Sequence, residues 1–278
     1  SFLNEFNIDL DHIDAIASHG QTIYHQPDNG FTLQIGCGGT LAYHTGIPVI
    51  NDFRTLDVIA GGQGAPLVPI GDFVLFNGKA ESYLNIGGFC NISFKEKNTI
   101  RAFDICPGNL PLNKYANNLN VPYDKGGAFA KNGVFNKNLS IRLNELKYYQ
   151  KSAPKSLGTE WLSNHFYPLI EDELDTKSIL RTVTSHIAEQ IADTLLKHKL
   201  ESVYVTGGGA KNDYLIDLIR TFYSGEIIIP DPTTIDFKEA LVFAYLGFKY
   251  LLNESNNLPS VTGSERELCT GVLHIPGY

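Results

Sequence analysis

The last hundred residues alternate between helical and extended hydrophobic patterns, and this alternation restricts the fold more than any other feature of the sequence. Between residues 179 and 195 apolar residues recur every four positions, which predicts a long helix with a broad apolar face. The apolar run 203–206 then predicts a buried strand, and three glycines follow it directly. The next predicted elements are a helix over 214–222, a strand over 226–229 and a helix over 237–252. Strand, glycine turn and helix in this order are typical of a layered α/β domain.

The rest of the sequence predicts shorter elements and a domain boundary. Strands are expected over 13–18, 31–35 and 48–52, a short helix over 38–45, and a meander of antiparallel strands over 82–86, 90–94 and 100–105. The stretch 60–69 is rich in glycine and proline, which interrupts regular structure. We therefore predict two domains: residues 1–78, the remainder of an amino-terminal domain, and residues 79–278, a second domain that includes the carboxyl-terminal helices.

Composition excludes several classes of protein. The 278 residues are 43% hydrophobic, enough for a sizeable core, and carry a net charge of -8. No basic cluster resembles a nucleic-acid footprint, and no apolar stretch is long enough to span a membrane. Four cysteines without a CxxC pair, and no signal peptide, indicate a cytoplasmic protein with reduced thiols. Because the sequence lacks methionine and opens in what looks like the end of a helix, we expect an amino-terminal segment to be absent from it.

Three glycine-rich turns each follow a predicted strand, at residues 87–88, 106–109 and 207–209. Glycine lets backbone N–H groups approach phosphate oxygens closely, and a helix that starts there adds its positive end. A single turn of this kind is usually only a matter of backbone geometry, but three in one acidic chain favour a phosphate site. There is no Walker A sequence, so a P-loop nucleotidase is not indicated.

Asp104 stands at the predicted end of a strand, just before the second of these turns. In this position an aspartate is equally well explained as a helix cap or as a site residue. As a site residue it would take a proton from a hydroxyl group or a water, as phosphoryl-transfer enzymes require.

Other polar residues leave alternatives open. His19 and His25 are six residues apart, which does not match a zinc motif, and hydrogen bonding by His19 or Gln21 is the favoured interpretation. Arg54 either pairs with Asp57 to close a loop or grips a carboxylate or sugar oxygens. Glu239, in the first turn of an apolar helix, is first explained by the helix dipole.

Ten segments, in this order, resemble the anhydro-N-acetylmuramic acid kinase family. They are HGQTIYHQP (19–27), TLQIG (32–36), NDFRTLDVIAGGQGAPLVP (51–69), LNIGGFCNIS (84–93), FDICPGN (103–109), YDKGGAFAKNG (123–133), PKSLGTEW (154–161), TGGGAKN (206–212), KEALVFAYL (238–246) and NLPSVTG (257–263). The resemblance covers nearly the whole sequence, and the segment from Asp52 to Pro69 is highly specific to the family. It implies an actin-like ATPase fold: two ribonuclease-H-like domains that flank a cleft, the first of them incomplete here.

The resemblance also implies a reaction and a set of site residues. The family uses ATP and Mg²⁺ to cleave the 1,6-anhydro ring with water and to phosphorylate O6, giving N-acetylmuramate 6-phosphate in peptidoglycan recycling. Asp104 matches the catalytic aspartate, and no metal-ligating residue is assigned. The residues implied to bind the nucleotide are Gly87, Gly88, Cys106, Pro107, Gly108, Gly207, Gly208, Gly209 and Asn212. Those implied to bind the sugar are His19, Gln21, Arg54, Asp57 and Glu239.

The sequence departs from the family in two places. Ile105 and Cys106 replace a hydroxyl residue and a glycine beside Asp104, and no segment matches the family's first phosphate loop. The alternatives are therefore an active amino-sugar kinase and a non-catalytic or fragmentary relative that binds sugar or acts like a chaperone. A metalloprotease would need a metal at His19 and His25. A small-molecule amino sugar is the expected partner, nucleic acid and membrane are not, and a homodimer is left open.

Overall fold

A computed structural model describes residues 2–153, 155–170 and 175–277, and the chain forms two compact units. Unit 1 consists of Ser1–Asn77 and Glu239–Tyr278, and unit 2 consists of Gly78–Lys238. The first boundary lies one residue from the predicted one. The second is a correction to the predicted domain 79–278, because the last forty residues belong with the amino-terminal segment.

The α/β class predicted from the sequence is confirmed. The strands are β1 (Ile16–Ala17), β2 (Gln21–Gln26), β3 (Phe31–Ile35), β4 (Val49–Asn51), β5 (Ser82–Ile86), β6 (Phe89–Glu96), β7 (Thr99–Pro107), β8 (Ser202–Thr206), β9 (Glu226–Ile228) and β10 (Val272–His274). The helices are α1 (Phe2–Glu5), α2 (Gly38–Thr45), α3 (Thr55–Ile59), α4 (Pro69–Leu75), α5 (Asn109–Asn117), α6 (Ala128–Lys131), α7 (Lys137–Asn144), α8 (Thr159–Trp161), α9 (Thr176–Lys197), α10 (Asp213–Phe222), α11 (Pro232–Leu251) and α12 (Pro259–Thr262).

Unit 2 is built on a five-stranded sheet with the order β7-β6-β5-β8-β9. The predicted meander β5-β6-β7 is confirmed, with antiparallel pairing throughout. The sheet then continues through β8 and β9, which run parallel to β5. One antiparallel strand within an otherwise parallel five-stranded sheet fits the ribonuclease-H-like domain that the resemblance implies.

The predicted helix over 179–195 forms the centre of the core of unit 2. It is α9, and Leu180, Val183, Ile187, Ile191 and Leu195 are completely buried along it. Asp175 caps the helix, because its carboxylate accepts hydrogen bonds from the N–H groups of Lys177 and Ser178. This face packs against the strand residues Leu84, Ile92, Ile105, Val203 and Val205 in one continuous hydrophobic cluster.

Unit 1 has a smaller sheet, in which β4 pairs with β1 in parallel and with β10 antiparallel. Its core contains Ile50, Phe53, Leu67, Ile70, Val242, Phe243 and Leu246. The last three residues come from α11, so both ends of the chain build this core. A separate hairpin of β2 and β3 completes the unit. The sequence predicted β3 and α2 at their observed bounds but missed β2 and β10.

Two further expectations concern the whole chain. All four cysteines carry free thiols, Cys90 and Cys106 being buried and Cys37 exposed. Among the described residues, none of the helices combines the length and the apolar character needed to cross a bilayer.

Candidate active site

The three glycine turns that the sequence singled out meet in unit 2. The strands β5, β7 and β8 run in the same direction, so their carboxyl ends lie at one edge of the sheet, where α/β domains bind ligands. The N–H groups of Gly108 and Asn109 donate to the carbonyl oxygens of Gly88 (2.9 Å) and Gly87 (2.8 Å). The Asn109 side chain also donates to Ile86 O at 3.1 Å. The turns after β5 and β7 are therefore joined directly.

The turn after β8 packs against the end of β5, and only a glycine at position 207 allows so close an approach. Gly207 has φ of 82°, and a Cβ there would lie 2.7 Å from both Asn85 Oδ1 and Ile86 O. A Cβ on Gly208 would lie 3.6 Å from Asn109 Nδ2. The three turns therefore lie together, with Gly88 and Gly208 exposed, Gly87 and Gly207 partly exposed, and Gly108 buried.

Asn212, the last residue predicted to bind nucleotide, has a structural task as well. Its Oδ1 accepts from Leu215 N at 3.1 Å and caps α10, which begins at the next residue. The same oxygen lies so close to Gly127 that a side chain at position 127 would collide with it. Asn212 therefore fixes the start of α10, and 9% of its surface is exposed.

A residue that the sequence reasoning missed lies at the end of β8. Lys238 is buried in the first half of α11, and its Nζ donates to Thr206 Oγ1 at 3.0 Å. Thr206 immediately precedes the glycine turn 207–209, so the Lys238 ammonium group lies beside the start of that turn. In the sequence Lys238 lies between Asp236 and Glu239, just before the apolar stretch 240–244, and this spacing does not indicate a contact with Thr206.

Asp104 lies in β7, in the same unit as the glycine turns, and is held by the chain segment 155–157. Its N–H group donates to Lys155 O at 3.1 Å, and its Oδ2 accepts from Leu157 N at 2.8 Å. Its carbonyl oxygen accepts from the Tyr148 hydroxyl at 2.6 Å. Burial raises the pKa of Asp104 to about 6, although the Leu157 N–H group and the Lys155 charge oppose this rise.

The residues after Asp104 differ from expectation. The strand β7 does not end at Ile105 but continues to Pro107, with an irregularity opposite Cys90 and Asn91. Ile105 and Cys106 are therefore buried strand residues. Burial and the neighbouring Cys90 thiol raise the pKa of the Cys106 thiol well above its ordinary value. Both side chains lie inside the sheet layer, so the implied roles of Cys106 and Pro107 in nucleotide binding would fall to their main-chain atoms.

In unit 1, Arg54 and His19 form a direct contact. Arg54 Nε donates to His19 Nε2 at 3.0 Å, and its NH1 group donates to Gly64 O at 2.6 Å. Since arginine only donates, His19 Nε2 is an acceptor and the ring proton lies on Nδ1. Burial and the Arg54 charge lower the pKa of His19 to about 4, so the ring is neutral near pH 7.

The hydrogen bonds of Asp57 correct the interpretation in which it pairs with Arg54 to close a loop. The carboxylate is completely buried and accepts from Gly64 N (2.7 Å), Asn257 Nδ2 (2.9 Å) and Thr262 Oγ1 (2.8 Å). It anchors the glycine-rich loop to the carboxyl-terminal segment and has no exposed atom to offer a substrate. Its charge still favours the charged form of Arg54.

The two remaining sugar-side residues are exposed. Gln21 opens β2 opposite Ile35, and Glu239 lies on α11. Burial lowers the pKa of Arg54, and the Glu239 charge is the largest influence that opposes it. A pocket of about 270 Å³ in this unit is lined by residues that include His19, Thr32, Gln34, Asn51 and His274.

The two histidines considered as metal ligands are engaged otherwise. His25 Nδ1 lies 3.0 Å from Thr32 Oγ1, and partial burial and the Arg54 charge lower its pKa. Across the ranges that the structure describes, no group of three or more His, Cys, Asp or Glu side chains is placed to hold a metal ion. The Arg54 guanidinium, bonded to the His19 ring, also disfavours a cation there.

Comparison with known proteins decides the family. The family model described as anhydro-N-acetylmuramic acid kinase matches residues 1–276. The chain belongs to the anhydro-N-acetylmuramic acid kinase family. Three proteins of that name illustrate the similarity. The one from Shewanella oneidensis is 39% identical over 98% of this chain and 77% of its own length. Those from Francisella tularensis subsp. novicida and Bacillus cereus (strain Q1) are 37% and 35% identical, over 96% and 98% of this chain and 76% and 78% of their own lengths.

The anhydro-N-acetylmuramic acid kinase family is one of phosphotransferases that act on an alcohol group. In this member, unit 2 brings Asp104 and the three glycine turns onto one sheet, while unit 1 brings His19 and Arg54 into direct contact.

Proposed function

We propose that the chain is an ATP-dependent kinase that hydrolyses the 1,6-anhydro ring of anhydro-N-acetylmuramic acid and phosphorylates O6. The product would be N-acetylmuramate 6-phosphate, in cytoplasmic recycling of peptidoglycan. Asp104 is the observation that carries this proposal, because it is an oriented carboxylate with a raised pKa in a sheet whose carboxyl edge is lined by glycine turns. Family membership supports the choice of substrate.

Asp104 would act as the general base. Its Oδ2 is engaged by the Leu157 N–H group, which leaves Oδ1 to accept a proton from a water molecule. That water attacks the anomeric carbon of the anhydro sugar, the bond from this carbon to O6 breaks, and O6 becomes the acceptor of the phosphoryl group. A pKa of about 6 keeps the carboxylate ionised at neutral pH yet basic enough to hold the proton briefly.

The glycine turns fit a nucleotide. Gly88, Gly207 and Gly208 would hold the phosphates through backbone N–H groups, and the start of α10 adds its positive end. The N–H groups of Gly87 and Gly108 donate to Phe89 O and Gly88 O, so these two glycines would shape the turns. ATP supplies the phosphoryl group, and Mg²⁺ would neutralise charge on it. Mg²⁺ is often held by one or two carboxylates together with the phosphates of the nucleotide. The described residues therefore need not supply a complete set of metal ligands.

The residues of unit 1 would bind the sugar. Gln21 and Glu239 are exposed, and Arg54 is held in place by His19 and Gly64. The neutral His19 ring fixes the guanidinium plane, which then presents its remaining N–H groups to sugar oxygens. Asp57 would contribute indirectly to sugar binding. Its carboxylate accepts from Gly64 N and so fixes the loop whose Gly64 O holds Arg54.

The test is a phosphotransfer assay of the full-length gene product with anhydro-N-acetylmuramic acid and ATP. We expect Asp104→Asn to reduce turnover by about 10²–10⁴-fold, because proton abstraction is lost, and to leave nucleotide affinity nearly unchanged by calorimetry. Asp193→Asn, an exposed aspartate on α9, is the matched control and should turn over normally. Turnover of Asp104→Asn close to that of the parent protein would refute the role of Asp104. Ligand binding without turnover in the parent protein would favour a non-catalytic relative.

A further inference from the structure

Asp104 lies where the pairing of the edge strand β7 is irregular. β7 stands at one edge of the five-stranded sheet, and its register with β6 shifts at this point. Asp104 faces Asn91 and Cys106 faces Cys90, so Ile105 is an extra residue in β7. Such a bulge re-aims a side chain, but at a sheet edge it leaves backbone groups without partners in the ladder. The direction of the Asp104 carboxylate therefore depends on what holds the outer side of β7.

The partners of Asp104 on that side come from the chain after residue 147. Its N–H group donates to Lys155 O at 3.1 Å, and Leu157 N donates to its Oδ2 at 2.8 Å. Its carbonyl oxygen accepts from the Tyr148 hydroxyl at 2.6 Å. Of these three hydrogen bonds, the one from Tyr148 is made by a partner's side chain, so a substitution can remove it alone.

We propose that Tyr148 is a positioning residue for Asp104, because its hydroxyl group fixes the main chain at the point where the carboxylate leaves the strand. A buried chain of hydrogen bonds, which begins at Tyr149 and passes through His186, fixes the turn that carries Tyr148. This inference rests on the proposed function of Asp104 as general base. It gives a task to residues that lie outside the glycine turns and outside the set expected to bind sugar.

The Tyr148 side chain is held firmly and acts as a donor. It is 3% exposed, and its ring centre lies 5.4 Å from that of Trp161. Burial is the largest influence that raises the pKa of Tyr148, so the hydroxyl keeps its proton at neutral pH. A distance of 2.6 Å is at the short end of the range for a hydrogen bond between two oxygens. The bond therefore holds the Asp104 carbonyl group in one place.

The short 3₁₀ helix Lys147–Gln150 carries both tyrosines, and Tyr149 ties it to the core. The Tyr149 hydroxyl lies 2.8 Å from His186 Nε2, and His186 Nδ1 lies 2.5 Å from Asn144 Oδ1. Asn144 Nδ2 donates to Glu189 Oε2 at 2.7 Å, which identifies Asn144 Oδ1 as an acceptor. The ring proton of His186 is therefore on Nδ1, and Nε2 accepts from Tyr149.

This chain of hydrogen bonds is costly to break. His186 is completely buried in α9, and burial lowers its pKa to about 3, so the ring is neutral. Both of its nitrogens are engaged, and movement of Tyr149 would leave Nε2 buried without a donor. The 3₁₀ helix is thereby fixed against α9 on one side while Tyr148 bonds to β7 on the other.

Tyr148→Phe tests the proposal, because it removes one hydroxyl and keeps the ring. Displacement of a reacting group by about 1 Å can cost about 10²-fold in rate, so we expect kcat to fall by about 10-fold to 10²-fold. The KM values for ATP and for the sugar should stay near those of the parent protein, since the hydroxyl bonds to Asp104 and not to a glycine turn.

Tyr223→Phe is the matched control in the same unit. The Tyr223 hydroxyl also donates to a main-chain carbonyl oxygen, that of Leu200 at 2.8 Å, and Tyr223 is likewise 3% exposed. Leu200 precedes β8, so this bond lies at the opposite end of the strand from the turn 207–209. Both variants should lose similar stability, and Tyr223→Phe should keep the parent kcat. An equal fall of kcat in the two variants would overturn the inference.

Tyr149→Phe tests the same arrangement without a change to Tyr148, and it also serves if Tyr148→Phe does not fold. It removes the donor to His186 Nε2 and loosens the 3₁₀ helix. We expect a smaller fall of kcat than in Tyr148→Phe, again with unchanged KM values. A parent-like kcat in folded Tyr149→Phe would contradict the task given to the buried chain of hydrogen bonds.

An NMR measurement does not depend on turnover. Asp104 and Ile105 form the only Asp-Ile pair among the 278 residues. In the full-length protein labelled with ¹³C-carbonyl aspartate and ¹⁵N-isoleucine, the correlation across this peptide bond is identified by its loss in Asp104→Asn. A hydrogen bond deshields the carbon of the carbonyl group that accepts it, so this carbon signal should move upfield in Tyr148→Phe but not in Tyr223→Phe.

The outcomes separate this inference from the proposed function. An unmoved carbon signal in Tyr148→Phe, or a moved signal with a parent-like kcat, overturns the inference, while a parent protein that turns over keeps the proposed function. If the signal moves but the parent protein has no activity, the proposed function is what fails, and the task in catalysis given to Tyr148 falls with it.

Discussion

Two aspartates of this chain show how the surroundings of a carboxylate determine its use. Asp57 is completely buried and accepts hydrogen bonds from a backbone amide, an asparagine and a threonine. Asp104 is only partly buried and has one oxygen bonded to Leu157 N. A carboxylate with every oxygen engaged stabilises a loop, whereas one with an oxygen to spare can take up a proton.

Asp57→Asn should destabilise the protein without a direct effect on substrate contact. An amide places an NH₂ group against donors such as Asn257 Nδ2 or Gly64 N, so we expect the free energy of unfolding to fall by about 1–3 kcal/mol. Urea denaturation measures this, with the exposed Asp14→Asn as the control. Unchanged stability together with a large rise in KM would instead support direct sugar binding by Asp57.

Residue identity was readable from the sequence, but the pairing of residues was not. The motif around Asp104 marked it as the candidate base, but local spacing alone did not distinguish a helix cap from a site residue. Arg54 and Asp57, three positions apart, suggested a pair, yet Arg54 donates to His19, 35 residues away. Side-chain pairing depends on which strands become neighbours, and this is decided by the packing of the whole unit.

At the scale of elements, the glycine turns of unit 2 are defined by their mutual contacts. Gly207 follows β8 with a positive φ and lies against Asn85 and Ile86 at the end of β5. The Asn109 side chain joins the turn after β7 to the same end of β5, because it donates to Ile86 O. The turns form one surface because three strands end at one edge of the sheet.

Gly207→Ala should lower nucleotide affinity. The new Cβ would lie 2.7 Å from Asn85 Oδ1 and from Ile86 O, so the turn must move away from its neighbours. Gly78→Ala is a matched control, because Gly78 also has a positive φ, of 76°, but nothing lies within 4 Å of its added Cβ. Both variants should lose about 1 kcal/mol of stability from the backbone conformation. Calorimetry with ATP should show weakened binding for Gly207→Ala alone, and equal binding by the two variants would argue against a nucleotide site at this turn.

Most elements followed from periodicity, and the exceptions have a physical reason. The predicted ranges for α2, β3 and β5 agree with the structure at both ends. The strand β2 was missed because five of its six side chains are exposed, so one face is not apolar. The strand β10 was missed because it has three residues and pairs with β4 from the far end of the chain.

At the scale of the whole molecule, the chain crosses between its two units twice. The second crossing falls within the residues of α11. Phe243 on that helix packs against the rings of His19 and Phe53, and only 3% of its surface is exposed. The core of unit 1 is therefore built from segments that are nearly 200 residues apart in the sequence.

Phe243→Ala should unfold unit 1 more readily. Loss of a buried phenylalanine costs about 3–5 kcal/mol, and the cavity would lie beside Phe53. Phe248→Ala is the control on the same helix, since Phe248 is 57% exposed and its removal should change stability by less than about 0.5 kcal/mol. Hydrogen exchange should show lost protection in β4 and α4 for Phe243→Ala. Equal protection in both variants would contradict the assignment of α11 to this core.

The sequence by itself determined the α/β class, the bounds of several elements, the antiparallel meander and the motifs that mark Asp104 and the glycine turns, because all of these depend on local periodicity and composition. Only the tertiary structure decided that Asp57 is a buried anchor, that Cys106 lies inside the sheet, that the segment 155–157 forms hydrogen bonds with Asp104 and that the carboxyl-terminal residues join the first unit. The reason is distance along the chain: Asn257 reaches Asp57 across 200 positions and Leu157 reaches Asp104 across 53. Such contacts form only when the packing of strands and helices brings distant segments together, and they leave no periodic signal in the sequence.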